Sequence, residues 1–333
     1  MNILLTGGLG YIGSHSATVL IEAGHELVLF DNLSNSEASV LHSLEKILNK
    51  RITFIEGDVR DTELLSNTLK ERQIDAVIHL AGLKAVSESV QDPLHYYDNN
   101  VVGSLSLIRA MQKNKVKKIV FSSSATVYGE PQYLPYDEKH PTNPINPYGR
   151  TKLFIEEILR DVVVSDSDWS VAILRYFNPV GAHESGLIGE SPKGIPNNLM
   201  PYIVKVASGE LDKLKVFGND YETRDGTGER DYIHVMDLAE GHLAALNFLK
   251  EYKGWHAINL GGGQSTTVLE LINTFEKINH KKIPYEVVAR REGDLPAYYA
   301  KPDLANKILH WKTKRTLESM CESAWKFNEG HAL

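Results

Sequence analysis

The first fourteen residues constrain the fold of this 333-residue chain more than any other stretch. An apolar run at residues 3–5 is followed by glycines at positions 7, 10 and 13, and then by an amphipathic stretch. In a strand, turn and helix of this kind, Gly7 permits the turn, Gly10 lets a pyrophosphate approach the backbone, and Gly13 lets the helix pack closely. Many glycine turns bind nothing, but this context predicts a dinucleotide at the helix N–H groups. The predicted contacts are Gly7, Gly10, Tyr11, Ile12 and Gly13.

A second apolar run, residues 26–31, ends in Asp31, 18 residues after Gly13. A carboxylate at about this distance, roughly 20 residues, binds the adenosine ribose hydroxyls of a dinucleotide and repels a 2′-phosphate. Because residues 32–36 contain no arginine, we expect NAD rather than NADP. The alternative is a strand-end aspartate that only caps a turn.

Apolar strands alternate with helical stretches through the first half of the chain. We expect strands at residues 51–56, 75–81 and 118–122, and helices at 40–48, 63–72 and within 93–114. The alternation predicts a Rossmann-like, doubly wound α/β fold with a parallel sheet covered on both faces. Ligands of such sheets bind beyond the carboxyl ends of the strands. The residues expected there are Asp58, Val59, Leu80, Ala81, Lys84, Asn99 and Ser124.

The second half changes character, and we expect it to form a smaller, mixed α/β lobe. Short strands are expected at residues 215–217, 257–260 and 284–289, the last of the chain, and Gly261–Gly263 is expected to be a plain turn. No Gly/Ser linker or internal repeat separates two units. We therefore assign residues 1–177 to the dinucleotide domain, with a segment near 232–260 returning to it, and 178–333 to a discontinuous substrate lobe.

Composition narrows the functional classes. The net charge of −7 argues against a general nucleic-acid binder. We expect no membrane span, because no apolar run approaches the length of about 18 residues that a span needs, and the N-terminus does not resemble a signal peptide. Cys321 is the sole cysteine, which fits a reducing cytoplasm. The 13 histidines show no metal-ligand spacing, so we expect no metal.

Tyr148 and Lys152 form the candidate reactive pair. Pro147 is typical of the first position of a helix, and a helix over residues 148–163 places the pair one turn apart on one face. A free tyrosine has a pKa of about 10. A lysine ammonium beside it, with a positive nicotinamide ring, lowers that pKa, so that Tyr148 takes a proton from an alcohol as hydride leaves the same carbon. Ser124 donates a hydrogen bond to the same oxygen. The alternative is that Tyr148 and Lys152 are only an ordinary pair on a helix surface.

Longer stretches make the chain resemble the extended short-chain dehydrogenase/reductase family, and within it the UDP-glucose 4-epimerases. The resemblance covers nearly the whole chain. The stretches are residues 6–15 (TGGLGYIGSH), 79–86 (HLAGLKAV), 96–100 (YYDNN), 121–129 (FSSSATVYG), 174–183 (LRYFNPVGAH), 194–202 (GIPNNLMPY), 230–238 (RDYIHVMDL) and 290–298 (RREGDLPAY). The first blocks are shared with many sugar-nucleotide enzymes, whereas the last ones are more specific to the epimerases.

This resemblance implies a tightly held NAD that is not consumed, and the interconversion of UDP-galactose and UDP-glucose. Tyr148 would remove the 4′-hydroxyl proton while NAD takes the C4 hydride, and the 4-keto sugar would turn over before the hydride returns. Lys152 would also reach the nicotinamide ribose. Further cofactor contacts would be Asn32, Asn35, Ser36 and Phe177. By analogy with the family, we expect a homodimer.

The resemblance also implies a set of substrate contacts in the second lobe. Asn178, Arg230 and Arg291 would clamp the diphosphate, a task that suits guanidinium groups. The helix opened by Asn198 and Leu199 would meet a phosphate. The remaining contacts would be Lys215, Val216 and Phe217 to uracil, Asp294 to the uridine ribose, and Tyr298 to the sugar.

Two positions bear on specificity. Leu80 replaces the phenylalanine expected beside the nicotinamide, which loosens cofactor packing. Tyr298 stands where the family has its wall against the sugar 2-substituent. A bulky ring there leaves room for a hydroxyl but not for an N-acetyl group, so we expect a preference for UDP-glucose and UDP-galactose.

Three other activities compete with the epimerase interpretation. A 4,6-dehydratase carries Asp-Glu just after the strand-end Ser or Thr, whereas this chain has Ala125 and Thr126. A UDP-sugar decarboxylase is harder to exclude, although the block at residues 290–298 fits an epimerase better. A catalytically silent NAD-binding protein typically loses the tyrosine or the lysine, and both are present here.

Overall fold

The computed structural model describes residues 1–192, 196, 198–291 and 294–331. The strands in this part of the chain are β1 (Asn2–Thr6), β2 (Glu26–Asp31), β3 (Thr53–Glu56), β4 (Ala76–His79), β5 (Lys118–Ser124), β6 (Ser170–Tyr176), β7 (Asn178–Val180), β8 (Leu214–Phe217), β9 (Glu229–Arg230), β10 (Tyr232–His234), β11 (Gly254–Leu260), β12 (Thr266–Thr267), β13 (Tyr285–Val288) and β14 (Ala297–Tyr298). Parts of the motif stretches at 194–202 and 290–298 lie outside the described residues.

The helices are α1 (Tyr11–Glu22), α2 (Ser39–Leu48), α3 (Thr62–Glu71), α4 (Val86–Gln91), α5 (Pro93–Tyr96), α6 (Gly103–Lys113), α7 (Pro147–Ser165), α8 (Leu199–Ala207), α9 (Val235–Phe248), α10 (Val268–Asn279), α11 (Asp303–Leu309) and α12 (Leu317–His331). A π-helical segment, Tyr97–Val102, joins α5 to α6, and a 3₁₀ turn, Ala125–Val127, follows β5. Among these described helices, none has the length and apolar character needed to cross a membrane.

Seven strands form one parallel sheet in the order β11-β6-β5-β4-β1-β2-β3. The predicted doubly wound fold is therefore confirmed. The chain leaves β1 first toward β2 and β3, and then crosses to β4 on the other side. In sheets of this type the crevice that binds ligands lies where the order reverses, here between β1 and β4.

Alternating side chains of the strands explain why both faces of the sheet are covered. Ile3 and Leu5 pack into a core with α1, α2, α9 and α11, whereas Leu4 packs into a second core with α3, α6 and α7. All three side chains are fully buried. Each buried side chain of this size contributes about 1.5–3 kcal/mol, so a one-residue shift of β1 would be strongly unfavourable.

A late segment of the chain enters the main sheet. β11 pairs in parallel with β6 over its whole length, and α9 packs against α1. A third core, formed largely by α8, α10 and α12 with β8 and β10, belongs to the second half of the chain. The division into residues 1–177 plus a returning segment, and 178–333, remains our proposal.

The three-glycine turn at Gly261–Gly263 is held in place by the carboxylate of Asp231. This fully buried carboxylate accepts N–H hydrogen bonds from Gly262 at 2.7 Å, Gly263 at 3.0 Å and Ala300 at 3.0 Å. Burial raises the pKa of Asp231 to about 6, against these three donors. The N–H groups of Gly262 and Gly263 are therefore already bonded to a side chain of the same protein.

The sequence patterns missed several short elements. β14 lies beyond residues 284–289, which we expected to hold the last strand, and the two-residue strands β9 and β12 were not predicted. Strands this short have too few residues to show a periodicity, and they exist only because distant segments pair. The helical stretch expected within 93–114 is divided by the π-helical segment. Helices α11 and α12 were also not predicted.

Candidate active site

The glycine turn between β1 and α1 has the geometry of a phosphate loop. Gly7 has a positive φ of 68°, and its N–H donates to the Phe30 carbonyl at 2.8 Å. A Cβ on Gly13 would collide with the Gly7 carbonyl oxygen. A Cβ on Gly10 would meet only that oxygen, at 3.3 Å, so the space beside Gly10 is open. Tyr11 and Ile12 begin the helix there, and no side chain in the described part of the chain caps its N-terminus.

Asp31 is held in a fixed orientation at the end of β2. Its carboxylate accepts hydrogen bonds from the N–H groups of Leu9 and Leu33, each at 3.0 Å, and from the Ser36 hydroxyl at 2.8 Å. The first of these bonds connects Asp31 directly to the glycine turn. Asn32 and Asn35 lie exposed in the same loop, with Ser36 partly buried between them and α2.

A charge cluster follows β3. Arg60 donates to both oxygens of Asp58 and to Asp98. These contacts, led by the hydrogen bonds from Arg60, lower the pKa of Asp58 to about 2. Asp58 also accepts a long hydrogen bond of 3.4 Å from Asn32. Val59 is buried against Gly103, so its backbone rather than its side chain is available to a ligand.

The loop after β4 is fastened by Asn100. The Asn100 amide accepts from the Leu83 N–H at 2.8 Å and donates to the Leu83 carbonyl at 3.1 Å and to Thr151 on α7 at 3.1 Å. This buried amide fixes the segment that holds Leu80, Ala81 and Lys84. Asn99 is half-buried in the π-helical segment, a feature frequent at functional sites.

Lys84 is joined to the second half of the chain through Glu190. The Lys84 ammonium and the Asn198 amide both reach Glu190 Oε1, at 2.9 Å and 2.8 Å. Two residues predicted to bind different ligands, cofactor and substrate, thus share one carboxylate. Glu190 was not predicted, and no local pattern in the sequence marks it.

Helix α7 brings Tyr148 and Lys152 to the end of β5. The helix begins at Pro147, with the Asn146 side chain accepting from the Gly149 N–H at 2.8 Å. Lys152 Nζ donates to the Ser122 carbonyl at 2.8 Å and lies 5.8 Å from the centroid of the Tyr148 ring. The ammonium has three protons, so two remain for other partners.

Ser124 is the last residue of β5, and its hydroxyl accepts two hydrogen bonds from Thr126. The Ser124 Oγ accepts from the Thr126 N–H at 3.2 Å and from the Thr126 hydroxyl at 3.0 Å. Because a hydroxyl has one proton and two lone pairs, these two donors leave the Ser124 proton to be donated. A hydrogen bond between Ser124 and Tyr148 lowers the pKa of the Tyr148 phenol. Thr126 was not predicted as part of the site.

Burial dominates the proton affinities of the reactive pair. It raises the pKa of Tyr148 to about 12, against the hydrogen bond from Ser124. It lowers the pKa of Lys152 to about 8, and nearby Glu156 acts in the opposite direction. We expected a lowered Tyr148 pKa, but that expectation counts a nicotinamide cation beside the phenol. In the chain by itself, desolvation outweighs the hydrogen bond from Ser124, and the pKa of Tyr148 is raised.

The predicted substrate contacts gather around β9, β14 and β8. Arg230 on β9 stands opposite Tyr298 on β14, donates to the Leu295 carbonyl at 2.9 Å and lies 3.5 Å from an oxygen of Asp294. The Arg291 guanidinium stacks on the Phe217 ring, with Cζ 3.8 Å from its centroid. Cation–π stacking of this type favours arginine.

The remaining predicted substrate contacts differ in which of their atoms are accessible to a ligand. Val216 is buried in the core of the second half, so only its backbone is available, whereas Lys215 is exposed. The Asn178 Oδ1 atom is buried and has no hydrogen-bond partner among the described residues. A buried carbonyl oxygen without a partner is unfavourable, which makes Asn178 a candidate ligand contact. Leu199 begins α8, whose N-terminal residue Asn198 makes no side-chain cap.

Aromatic rings form a wall that includes Tyr298. The Tyr298 ring lies 4.9 Å from that of Phe177 and 5.6 Å from that of Tyr136, centroid to centroid. Tyr136 is fully buried and Phe177 nearly so. The wall therefore belongs to a packed cluster and does not move freely. Across the described ranges, no group of three or more His, Cys, Asp or Glu residues is arranged to hold a metal ion.

The buried Lys152 ammonium leads to a prediction on stability. Its folded pKa of about 8 lies below the ordinary 10.5, so the unfolded chain binds more protons between these values and stability rises with pH there. Lys152→Met should therefore stabilise the ligand-free protein at pH 7, by on the order of 2 kcal/mol after loss of the Ser122 hydrogen bond. Denaturant unfolding at pH 7 and at pH 10 measures this gap, which should shrink at the higher pH. A gap that stays constant or grows would contradict the assignment.

Known proteins match this chain over nearly its whole length. A family model described as GDP-mannose 4,6 dehydratase matches residues 4–324. UDP-glucose 4-epimerase of Bacillus subtilis is 54% identical, with 99% of this chain and 98% of the relative covered. The Mus musculus UDP-glucose 4-epimerase is 52% identical, with 98% and 96% covered.

Solved structures agree with the sequence relatives. The UDP-glucose 4-epimerase of Stenotrophomonas maltophila, with bound NAD and formylated UDP-arabinopyranose, has a TM-score of 0.98 at 47% identity, covering 100% of this chain and 99% of that one. The Bifidobacterium longum enzyme, in complex with NAD+ and UDP, has a TM-score of 0.96 at 49% identity, with the same coverage. The chain therefore belongs to the UDP-glucose 4-epimerase family of the extended short-chain dehydrogenases/reductases.

Proposed function

We propose that this protein interconverts UDP-galactose and UDP-glucose through a 4-keto sugar, using a tightly bound NAD that is not consumed. The observation that carries the proposal is the meeting of Tyr148, Lys152 and Ser124 at the carboxyl edge of the sheet, in a chain 54% identical to an epimerase. The cofactor contacts, the substrate contacts and the domain boundaries named above are part of the same proposal.

The residues around the β1–β4 crevice fit NAD. The open space at Gly10 admits a pyrophosphate to the start of α1, and the fixed carboxylate of Asp31 suits two ribose hydroxyls. When bound, NAD supplies the acceptor and later the donor of the C4 hydride. Lys152 would hold the nicotinamide ribose through the protons that its hydrogen bond to Ser122 leaves unused.

Tyr148 acts as the base and then as the acid. Its phenolate accepts the proton of the sugar 4′-hydroxyl as the C4 hydride departs, and Ser124 donates a hydrogen bond to the oxygen that becomes a carbonyl. The Lys152 ammonium stabilises the phenolate. After the keto sugar has turned its other face, Tyr148 returns the proton to the same oxygen as the hydride returns to C4, and the opposite configuration results.

The second half of the chain holds the UDP group. Arg230 and Arg291 place two guanidinium groups where a diphosphate needs compensating charge, in a protein with a net charge of −7. Asn178 would donate its side-chain N–H groups to the diphosphate, because its amide oxygen can only accept a hydrogen bond. Because UDP stays in place while the sugar turns, one site serves both directions of the reaction.

A dehydratase activity is the second candidate, because the matching family model carries that description. Such chemistry needs an acid to expel water from the sugar. The position after Ser124 holds Ala125, and the Thr126 hydroxyl is already engaged in donating to Ser124. These contacts favour epimerisation. A decarboxylase or a silent NAD-binding protein is the remaining alternative.

We further propose a homodimer that resides in the cytoplasm. A cytoplasmic location is consistent with Cys321, a buried free thiol. The dimer is supported by apolar side chains on α4, α5 and the contacting face of α7. Val90 is 62% exposed, Leu94 79% and Phe154 48%, and neighbouring exposed apolar groups of this kind mark interaction surfaces.

The activity depends on one phenolic hydroxyl. Tyr148→Phe should retain NAD but lower kcat by about 10²–10⁴-fold, because the base is lost while the ring remains. Conversion of UDP-galactose without added NAD, together with the nucleotide released on denaturation, measures both quantities. Tyr252→Phe, an exposed position remote from the site, is the matched control. Full activity of the Tyr148 variant would exclude the mechanism.

Substrate choice depends on the ring of Tyr298. Because the bulky ring is held in place by Tyr136 and Phe177, wild-type protein should turn over UDP-N-acetylglucosamine poorly, and Tyr298→Ala should raise kcat/KM for that sugar by about tenfold or more relative to UDP-galactose. Tyr298→Phe keeps the ring and should keep the preference. Equal turnover of both sugars by the wild type would refute this role of Tyr298.

Assembly depends on the apolar face. The wild-type protein should have twice its chain mass of 37.2 kDa in light scattering, and Leu94→Glu combined with Phe154→Glu should reduce it to the chain mass, because buried carboxylates are unfavourable. Val164→Glu changes an 82% exposed residue at the far end of α7 and should leave the dimer intact. A monomeric wild type would rule out the proposed dimer.

A further inference from the structure

A buried ion pair lies behind the reactive face of α7. Glu156 has no exposed surface, and Arg175 on β6 is only 3% exposed. Arg175 Nε donates to Glu156 Oε1 at 3.0 Å and Nη2 donates to Oε2 at 2.5 Å, so the two groups meet as a bidentate fork. The proposed reaction uses neither group, and their burial therefore needs a separate explanation.

The pair connects three elements that carry or adjoin reactive residues. Glu156 follows Lys152 by one helical turn and Tyr148 by two, on the same face of α7. Ser123, next to Ser124 on β5, donates its hydroxyl to Glu156 Oε1 at 2.5 Å. Arg175 stands opposite Ser123 in the register of β5 and β6. A shift or rotation of α7 would break all of these contacts together.

Arg175 is also held from its other side. Its Nη1 donates to the Tyr128 hydroxyl at 3.2 Å, and that hydroxyl donates to Asn259 Oδ1 on β11 at 2.6 Å. The guanidinium thus has hydrogen-bond partners on α7 and on the loop after β5, and the Tyr128 hydroxyl links it indirectly to β11. A network satisfied in this way makes a position rigid.

Stability alone does not account for the pair. Removing two charges from water is costly, and replacing a buried ion pair by apolar residues is often neutral or stabilising. What such a pair provides is a fixed geometry and a fixed charge. Both matter here, because the buried Lys152 ammonium lies one turn away and burial favours its neutral form.

We propose that Glu156 and Arg175 form a positioning pair for the epimerase reaction, which sets the height and rotation of α7 above the end of β5 and keeps Lys152 an ammonium. The inference rests on the proposed function. Several elements pack around Lys152 and bring titratable groups toward it. These groups are Tyr148 and Glu156 on α7 and His79 on β4, and Arg175 on β6 is bound to Glu156.

Glu156 is the anion in this set. Burial lowers the pKa of His79 to about 3, so its ring is neutral at the pH of the reaction. Burial raises the pKa of Tyr148 to about 12, which keeps it protonated in the ligand-free chain. The charge that opposes the desolvation of Lys152 therefore comes from Glu156, and the charge that balances Glu156 comes from Arg175.

Two variants distinguish a role of the pair in positioning α7 and maintaining the charge of Lys152 from a role in stability alone. Glu156→Gln keeps the shape but leaves Arg175 as an uncompensated cation. Glu156→Gln combined with Arg175→Met removes both charges, and it should fold even where the single variant does not. For the NAD-loaded proteins, kcat and KM for UDP-galactose are measured from pH 6 to about pH 10. The Lys152 ammonium is titrated by NMR of ¹⁵N-labelled lysine, with Lys152→Met assigning the signal.

We expect Glu156→Gln to lower kcat by about tenfold or more, with little change in KM, because the reactive groups are displaced while UDP is held elsewhere. The alkaline limb of the kcat–pH profile of this variant, and the titration of its Lys152, should move to lower pH by on the order of one unit. The double variant should titrate between the single variant and the wild type, because the uncompensated cation is gone.

Wild-type kcat and Lys152 titration in a folded double variant would overturn the proposal. Failure of both variants to fold would also overturn it, since the pair would then be structural. A wild type that does not convert UDP-galactose would defeat the proposed function instead, and the NMR titration would still report on the pair.

Discussion

The carboxyl ends of seven parallel strands meet along one edge of the sheet, and every reactive group of the proposed site depends on that geometry. The glycine turn follows β1, Asp31 ends β2 and Ser124 ends β5. Helix α7 begins near this edge, and it carries both Tyr148 and Lys152. The position of α7 relative to β5 therefore decides whether a base, a cation and a hydrogen-bond donor meet at one sugar oxygen.

That position is set by polar contacts as well as by apolar packing. Thr151 is joined to Asn100, Lys152 to the Ser122 carbonyl, and Glu156 to Ser123 and Arg175. Each bond satisfies a group that would be costly to bury without a partner. The arrangement places a buried ammonium next to a buried phenol, which opposes stability but suits proton transfer. Strain of this type is typical of active sites.

Local patterns in the sequence predicted the parts of the site that lie within one turn or one strand. The glycine spacing, the acid at the end of β2, and the i, i+4 spacing of Tyr148 and Lys152 each follow from the geometry of a single element. Glu156 continues the same spacing and could have been found by extending it one turn. It was missed because a glutamate on a helix is usually exposed.

Other features depend on contacts between distant segments and leave no local signal. Glu190 meets Lys84 across 106 positions, and Asp231 reaches a glycine turn 31 positions later. The pairing of β9 with β14 likewise requires that the second half be folded. The direction of the Tyr148 pKa shift was not predicted for the ligand-free chain, because the extent of burial is a property of the whole fold.

The central claim is that one hydride leaves C4 of the sugar and returns to the same carbon without exchange with water. The most direct measurement uses UDP-galactose deuterated at C4, incubated in ordinary water with the purified protein and no added cofactor. The account predicts UDP-glucose that keeps the deuterium at C4, as read by NMR or mass spectrometry. Product that has lost its deuterium to solvent would contradict the account, because the C4 hydrogen would then leave as a proton.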